Sequence, residues 1–368
     1  MMKNRLARLL STLPSAGLDA IALNPGPTLT YLTGLHFHLS ERPVIALFTP
    51  HTDPILVLPE LESAKLKQAP YPIRAFPYGE NPASWVDVFR QALEAAGLNG
   101  LAVGVEPIRM RVLELRLLEA AAPHTRFISA EGPLASLRIQ KDASEIAAMR
   151  IAVKAAQDAL TATLPQIRIG MTERQVASEL TVQLLRAGSD SELPFSPIVA
   201  SGPNSANPHA GPSDRPLQRG DLLVIDWGAA VGDYYSDLTR TFAIGEVEPE
   251  LAEIVRITIN ANAAGRSAGK PGIPAGDVDR AARQVIESAG YGKYFTHRTG
   301  HGLGMETHEV PYMFAENNQI LAPGMVYTVE PGIYLPDRGG VRVEDDVVVT
   351  ETGSESLSDM PRELRIIG

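Results

Sequence analysis

The chain contains no cysteine, which excludes disulfides, thiolate catalysis and cysteine-ligated zinc. It has no apolar run approaching the roughly 18 residues that a membrane helix needs. Positive charge is in deficit. The formal net charge is −10 and the pI about 5.4, so the electrostatic footprint expected for nucleic acid or an anionic membrane is missing. No glycine-rich phosphate loop follows a strand-like run, and there is no solenoid repeat or low-complexity tract. The opening MMKNRLARLLSTLPSAG carries basic residues, but Ser11, Thr12 and Pro14 interrupt its apolar part. Leu6, Leu9, Leu10 and Leu13 suit an amphipathic helix better than a signal peptide. The expectation is a cytoplasmic protein with no nucleic-acid or membrane partner.

What is present is an ordinary globular composition, 44% hydrophobic and 21% charged over 368 residues, enough for two domains. Short apolar runs at 19–23, 44–50, 55–59, 101–105 and 126–130 read as strands. Trp85, Val88, Phe89, Ala92 and Ala96 make a helical stripe between them, and 109–122 makes another. This is an α/β pattern. The segment Glu131-Gly-Pro-Leu suggests a boundary, with domains at 1–133 and 134–368. Beyond it, Asp142 with Glu145 and Thr172 with Gln175 are capping boxes that open two helices. Ile146, Met149, Val153, Ala156 and Leu160 form the buried stripe of the first, and Gly188 ends the second. Helical stretches at 251–268 and 278–289 follow a first hairpin and precede a second. The second domain therefore reads as α+β, built of two similar halves.

Each hairpin carries two carboxylates. In LLVIDWGAAVGDYYSDLTRTF (222–242), Asp226 and Asp237 are equidistant from a turn centred between Val231 and Gly232. In 325–349, Glu330 and Glu344 are equidistant from Asp337. Residues directly opposed in a hairpin have Cβ atoms about 4.5–5.5 Å apart, and like charges there are destabilising. Each pair therefore calls for a cation or a proton. A solvated outer face is the ordinary fate of a strand carboxylate, but two symmetric pairs inside apolar runs argue against it. Three of the eight histidines, His297, His301 and His308, lie in THRTGHGLGMETHE (296–309), and Gly300, Gly302 and Gly304 flank His301. Four carboxylates with an imidazole suit Mn²⁺, and Zn²⁺, Co²⁺ or Fe²⁺ are compatible. Five side chains exceed the needs of one ion, so two ions about 3.5–4 Å apart and a hydrolytic role are expected.

The order Asp226, Asp237, His301, Glu330, Glu344 resembles the metal set of the pita-bread metallopeptidases. The segments VIDWGAAVGDYYSDLTRTF, THRTGHGLGMETHE, TVEPGIY and GGVRVED carry the likeness. NPGPTLTYLTGL (24–35) and LRIQKDASEIAAMRIA extend it over nearly the whole chain, towards the branch that holds Xaa-Pro aminopeptidase and prolidase. The resemblance implies an α+β pita-bread catalytic domain behind a smaller α/β domain of the creatinase/prolidase type. By position it implies that Asp226 binds one ion, Asp237 and Glu344 bridge, and His301 and Glu330 bind the second. It implies proton transfer by Glu330, oxyanion stabilisation by His308, and a place for His209 near the scissile amide. His297 would line the proline pocket and Arg342 would support the bridging carboxylate on the substrate side.

Tyr312 departs from this pattern, standing where several dipeptidases carry an arginine for the substrate's C-terminal carboxylate. A neutral hydroxyl cannot replace that fork. The expectation is therefore an Xaa-Pro aminopeptidase acting on proline-containing peptides, with a dipeptidase as the alternative. Asp233 also replaces a common glycine. A metal-free hydrolase, a lyase on this fold, or an inactive binding module are more distant readings. The complete ligand set disfavours the first and the last, bound-metal analysis discriminates the last, and the sequence leaves the lyase open. Finally, the resemblance implies a homodimer in which the segment 34–43, GLHFHLSERP, reaches the partner's active site. His36, His38 and Arg42 would then help bind substrate, although a solvated connection is the plainer reading of that composition.

Overall fold

A computed structural model of the chain describes residues 2–368. It divides into two compact units, Met1–Arg138 and Ile139–Gly368. Among the described residues no helix is long and apolar enough to cross a membrane.

The first unit holds helices α1 (Met2–Thr12), α2 (Pro27–Thr33), α3 (Trp85–Ala95), α4 (Val112–Ala121) and α5 (Glu131–Arg138). Its strands are β1 (Ala20–Leu23), β2 (Ile45–Phe48), β3 (Ile55–Pro59), β4 (Arg74–Tyr78), β5 (Ala102–Val105) and β6 (Arg126–Ser129). They form one mixed sheet in the order β4-β3-β2-β1-β5-β6. Phe89, Ala92 and Leu93 of α3 and Leu118 of α4 pack on Ala20, Ala22, Val57 and Val103. Burying the Phe, Leu and Val side chains among them stabilises by roughly 1.5–3 kcal/mol each. The segment expected as a boundary, from Glu131, is instead helix α5, because Leu134 and Leu137 supply a buried stripe.

In the second unit the helices are α6 (Ala143–Thr163), α7 (Glu173–Arg186), α8 (Pro249–Ala268) and α9 (Gly276–Ser288). Both expected capping boxes are present, Asp142 with Glu145 on α6 and Thr172 with Gln175 on α7. Strands β7 (Ile198–Ser201), β8 (Leu222–Trp227), β9 (Ala230–Val231), β10 (Tyr234–Tyr235) and β11 (Leu238–Ile244) come from the first half. The second half gives β12 (Gly300–Gly302), β13 (Glu309–Met313), β14 (Val326–Val329), β15 (Gly332–Leu335), β16 (Gly339–Arg342), β17 (Asp345–Val349), β18 (Ser354–Ser356) and β19 (Arg365–Ile367). A four-stranded sheet runs β19-β11-β8-β7 and a five-stranded sheet β13-β12-β14-β17-β18. The two are joined by a bridge between Thr239 and Glu344. Helix α8 packs on the second half: Asn262, fully buried, donates to Val329 O at 2.9 Å and Val343 O at 3.3 Å.

The hairpin registers differ in how they follow from the sequence. In the second, Gly332 pairs with Arg342 and Val329 with Asp345, so Glu330 and Glu344 are level, as their spacing about Asp337 predicts. In the first, Asp226 pairs with Thr239 and Val231 with Tyr234, which corrects the expected Asp226–Asp237 opposition. The turn residues are Gly232 and Asp233, both left-handed at φ 56° and 70°. A two-residue hairpin turn of this kind needs positive φ at both centres. Aspartate tolerates it better than most side chains, which accounts for Asp233. The shift carries Asp237 two residues along from the expected partner but keeps it on the same face as Asp226.

Candidate metal centre

Asp226 ends near the C-terminus of β8, Asp237 immediately precedes β11, His301 lies in β12, Glu330 follows β14 and Glu344 precedes β17. Gly300 lets β12 lie close to β14, since a Cβ there would meet Thr328 O at 1.9 Å. The ligating atoms of Asp237, His301 and Glu344 all lie within 4.8 Å of one another. His301 Nε2 lies 3.3 Å from Glu330 Oε1 and 3.7 Å from Asp237 Oδ2. Asp226 Oδ2 accepts from Arg342 at 2.5 Å. All five expected ligands therefore face one cavity of about 690 Å³, which His209, His297, His308 and Arg342 also line.

The donor set fits divalent cations. Asp226 Oδ1 is buried with no hydrogen-bond partner. Burial pushes the Asp237 and Glu344 carboxyls well above their ordinary range, reinforced by neighbouring carboxylates, and raises Asp226 despite Arg342. His301 Nδ1 contacts the Gly302 carbonyl at 3.1 Å. A carbonyl only accepts, so Nδ1 carries the hydrogen and Nε2 points at the carboxylates. Nε2 needs either its own proton or a shared cation there. Burial also raises Glu330, but hydrogen bonding and positive charge from His301 outweigh it and hold the carboxyl at about 2.

Fixed hydrogen-bond partners orient these side chains. Thr239 Oγ1 donates to Glu344 Oε2 at 2.6 Å and accepts from Arg342 Nε at 3.2 Å. The Asp237 amide donates to Asp346 Oδ2 at 3.1 Å, and the Glu330 amide to Thr299 O at 2.8 Å. His297 is held differently from the plain pocket lining expected. Its Nδ1 lies 2.7 Å from Arg298 O and its Nε2 2.9 Å from the Tyr334 hydroxyl, which in turn accepts from Arg342 Nη1 at 3.0 Å. One assignment satisfies all three contacts: Nδ1–H donates to the carbonyl and Tyr334 donates to Nε2. Burial lowers the His297 pKa, consistent with a neutral ring. Both nitrogens are then occupied, so His297 offers the cavity a wall rather than a proton carrier.

His308 stacks edge-on against His301, with ring centroids 4.1 Å apart, and reaches the cavity. Desolvation and the charge of His301 push its pKa down to about 4, so near neutral pH it is an uncharged hydrogen-bond donor. His209 is exposed on the loop after β7. That loop is folded around Glu173, which is fully buried and accepts from Ser201 N, Ser201 Oγ, Asn204 Nδ2, Ser213 N and Ser213 Oγ. Burial raises the Glu173 pKa, but these bonds more than offset it and leave the group lowered from 4.5. A depressed carboxyl contributes stability that is present above its unfolded value and lost as pH falls through the folded one. Glu173→Gln, whose amide has one acceptor oxygen, is expected to cost about 2–3 kcal/mol at neutral pH. It should also flatten the loss of stability below pH 4.5. Urea midpoints at neutral and acid pH check both.

The sequence reading missed Thr239, Tyr334 and Arg298. Arg298 lines the cavity, and its guanidinium lies 4.2 Å from the ring centroid of Tyr312. Tyr312 is beneath this arginine and is not a lining residue. Arg298 was legible only as a basic residue between His297 and Thr299; nothing in the spacing announces the stacking. In the first unit, His38 is exposed. Arg42 is paired with Glu41 at 2.7 Å and Glu80 at 3.0 Å.

Comparison with known proteins decides the family. Residues 147–351 match the model of metallopeptidase family M24, and residues 5–140 match the creatinase/prolidase N-terminal domain. The chain belongs to metallopeptidase family M24. This M24 chain is 34% identical to an Xaa-Pro dipeptidase of Pyrococcus horikoshii, with 99% of each chain covered. The crystal structure of a dipeptidase from Pyrococcus horikoshii OT3 superposes with TM-score 0.92 at 37% identity, covering 99% of this chain and 100% of that one. The X-Pro aminopeptidase of Thermotoga maritima MSB8 gives TM-score 0.86 at 30% identity, over 98% and 99%. The fold is thus the α+β pita-bread arrangement with its N-terminal domain, and the M24 chain is a metallopeptidase.

Proposed function

We propose that this M24 metallopeptidase is an Xaa-Pro dipeptidase, cleaving the peptide bond that precedes a C-terminal proline. The observation that carries the reading is the convergence of Asp237, His301 and Glu344 within 4.8 Å, with Asp226 and Glu330 facing the same cavity. These five residues would hold two divalent ions, Mn²⁺ best matching an oxygen-rich set with one nitrogen. When bound, the ions supply Lewis acidity and activate water. The protein's own groups do the rest. Glu330 accepts and returns the proton, its carboxylate being held ionised. His308 donates to the carbonyl oxygen as it gains charge. His209 lies at the cavity rim near the scissile amide, and His297, fixed by Tyr334, walls the proline ring.

Tyr312 alone argued for an aminopeptidase. The Xaa-Pro dipeptidase and dipeptidase relatives weigh towards the dipeptidase. An Xaa-Pro aminopeptidase remains the second reading, supported by the likeness to the Thermotoga maritima enzyme. A cytoplasmic homodimer, with His38 and Arg42 acting across the interface, belongs to this proposal. The test offers Ala-Pro and Ala-Pro-Ala to Mn²⁺-loaded protein and follows released amino acid. A larger kcat/KM for Ala-Pro is expected. Preference for the tripeptide would favour the aminopeptidase, and turnover of neither would overturn both.

A further inference from the structure

Two arginines line the metal cavity, Arg342 and Arg298. Arg342 is committed: it donates to Asp226, Thr239, Tyr334 and Pro208 O. Arg298 is not. Among the described residues its side chain has no carboxylate partner, and its guanidinium lies over the Tyr312 ring instead. An arginine stacked on an aromatic face keeps its N–H groups free at the edge of the plane.

The backbone carrying Arg298 is firmly held. Thr299 donates from N and Oγ1 to Asp279 Oδ1 at 2.9 and 2.8 Å. Arg283 donates to both oxygens of Asp279 and to the carbonyls of Phe295 and His297. The Arg298 carbonyl itself accepts from His297 Nδ1. Asp279 is fully buried, so this brace is rigid. Its product is a cation anchored next to the two rings, His297 and His308, that would flank the substrate.

A dipeptide has an obligatory feature that a longer peptide lacks at the same place: a carboxylate on the residue that follows the scissile carbonyl. A cation on the adjoining wall meets it, and a guanidinium does so with two parallel hydrogen bonds. We propose that Arg298, held flat on Tyr312, binds the C-terminal carboxylate of the substrate and thereby selects dipeptides. Tyr312 serves as the platform. The neutral residue that argued for an aminopeptidase becomes part of a carboxylate site whose charge comes from the segment before β12. This rests on the dipeptidase reading of the site.

The test varies the residue and the substrate group together. Arg298→Ala and Arg298→Lys are assayed with Ala-Pro and with Ala-Pro-amide, which lacks the carboxylate. Binding of proline and of prolinamide is measured by calorimetry on the same proteins, so a readout exists without turnover. Arg298→Ala should lose about 10–100-fold in kcat/KM on Ala-Pro, mostly through KM, and similarly in proline affinity. Ala-Pro-amide and prolinamide should change less than about threefold, within the range of a lost peripheral contact. Arg298→Lys keeps the charge without the fork and should retain part of the preference. Equal losses on both substrates and both ligands, or no loss on either, would overturn the clamp. Selective loss for the carboxylate-bearing ligands in a protein that prefers Ala-Pro-Ala would instead sink the dipeptidase reading and leave the carboxylate site standing. A dipeptide-preferring protein whose Arg298→Ala variant treats acid and amide alike would do the reverse.

Discussion

Replacing Asp237 or Glu344 by alanine is expected to lower Xaa-Pro hydrolysis by more than about 10³-fold with Mn²⁺ in excess, since loss of an outer-shell partner alone typically costs 10–100-fold. Both carboxylates lie within ligand distance of His301. Each is positioned by a separate hydrogen bond: the Asp237 amide donates to Asp346, and Thr239 donates to the Glu344 side chain. Neither can be covered by a shift of the other. The stability effect should have the opposite sign. Without a cation, Asp237 and Glu344 are buried carboxyls pressed by other carboxylates, and removing one relieves that pressure. Metal-free variants should therefore melt no lower than the metal-free parent, while only the parent gains markedly from added Mn²⁺. Near-normal turnover in either variant would sink the two-ion account.

The second large effect is expected at His308. His308→Ala should lower kcat about 10²–10³-fold with KM changed only a few-fold, the pattern of a donor that acts as charge develops. His308 is crowded against His301 and shifted to about 4. It is therefore neutral from pH 5 upwards and donates without carrying charge. His308→Gln, which keeps an N–H donor, should recover part of the loss. A change confined to KM would instead mean that His308 merely binds substrate.

The candidate metal ligands were legible in the sequence because carboxylates inside apolar strands are costly unless compensated, and because the spacing of each pair suggested symmetry about a turn. That symmetry gave the right register where the turn centred on Asp337, itself left-handed at φ 61°. It failed by two positions in the first hairpin, because only backbone geometry shows which two residues, here Gly232 and Asp233, take positive φ. The capping boxes at Asp142 and Thr172 were readable since a cap is a local interaction. The role of Tyr312 was not. Its ring contact with Arg298 joins β13 to the segment before β12, and no spacing rule reports which side chains stack across strands. The same holds for Tyr334, whose hydroxyl links His297 to Arg342. Glu131 misled for a different reason: the Gly-Pro pair after it reads as a linker, but proline is tolerated in the first turn of a helix, and α5 begins there.

Four carboxylates on two hairpins, together with His301 on β12, are proposed to hold two ions whose joint presence is required for hydrolysis before proline. The most direct measurement titrates Mn²⁺ into chelator-stripped protein, counting bound ions per chain by mass spectrometry and following proline release from Ala-Pro in the same samples. Binding is expected to saturate at about two ions per chain, as in other two-metal hydrolytic sites, with activity rising as the second ion binds. Full proline release by stripped protein carrying no ion would contradict it.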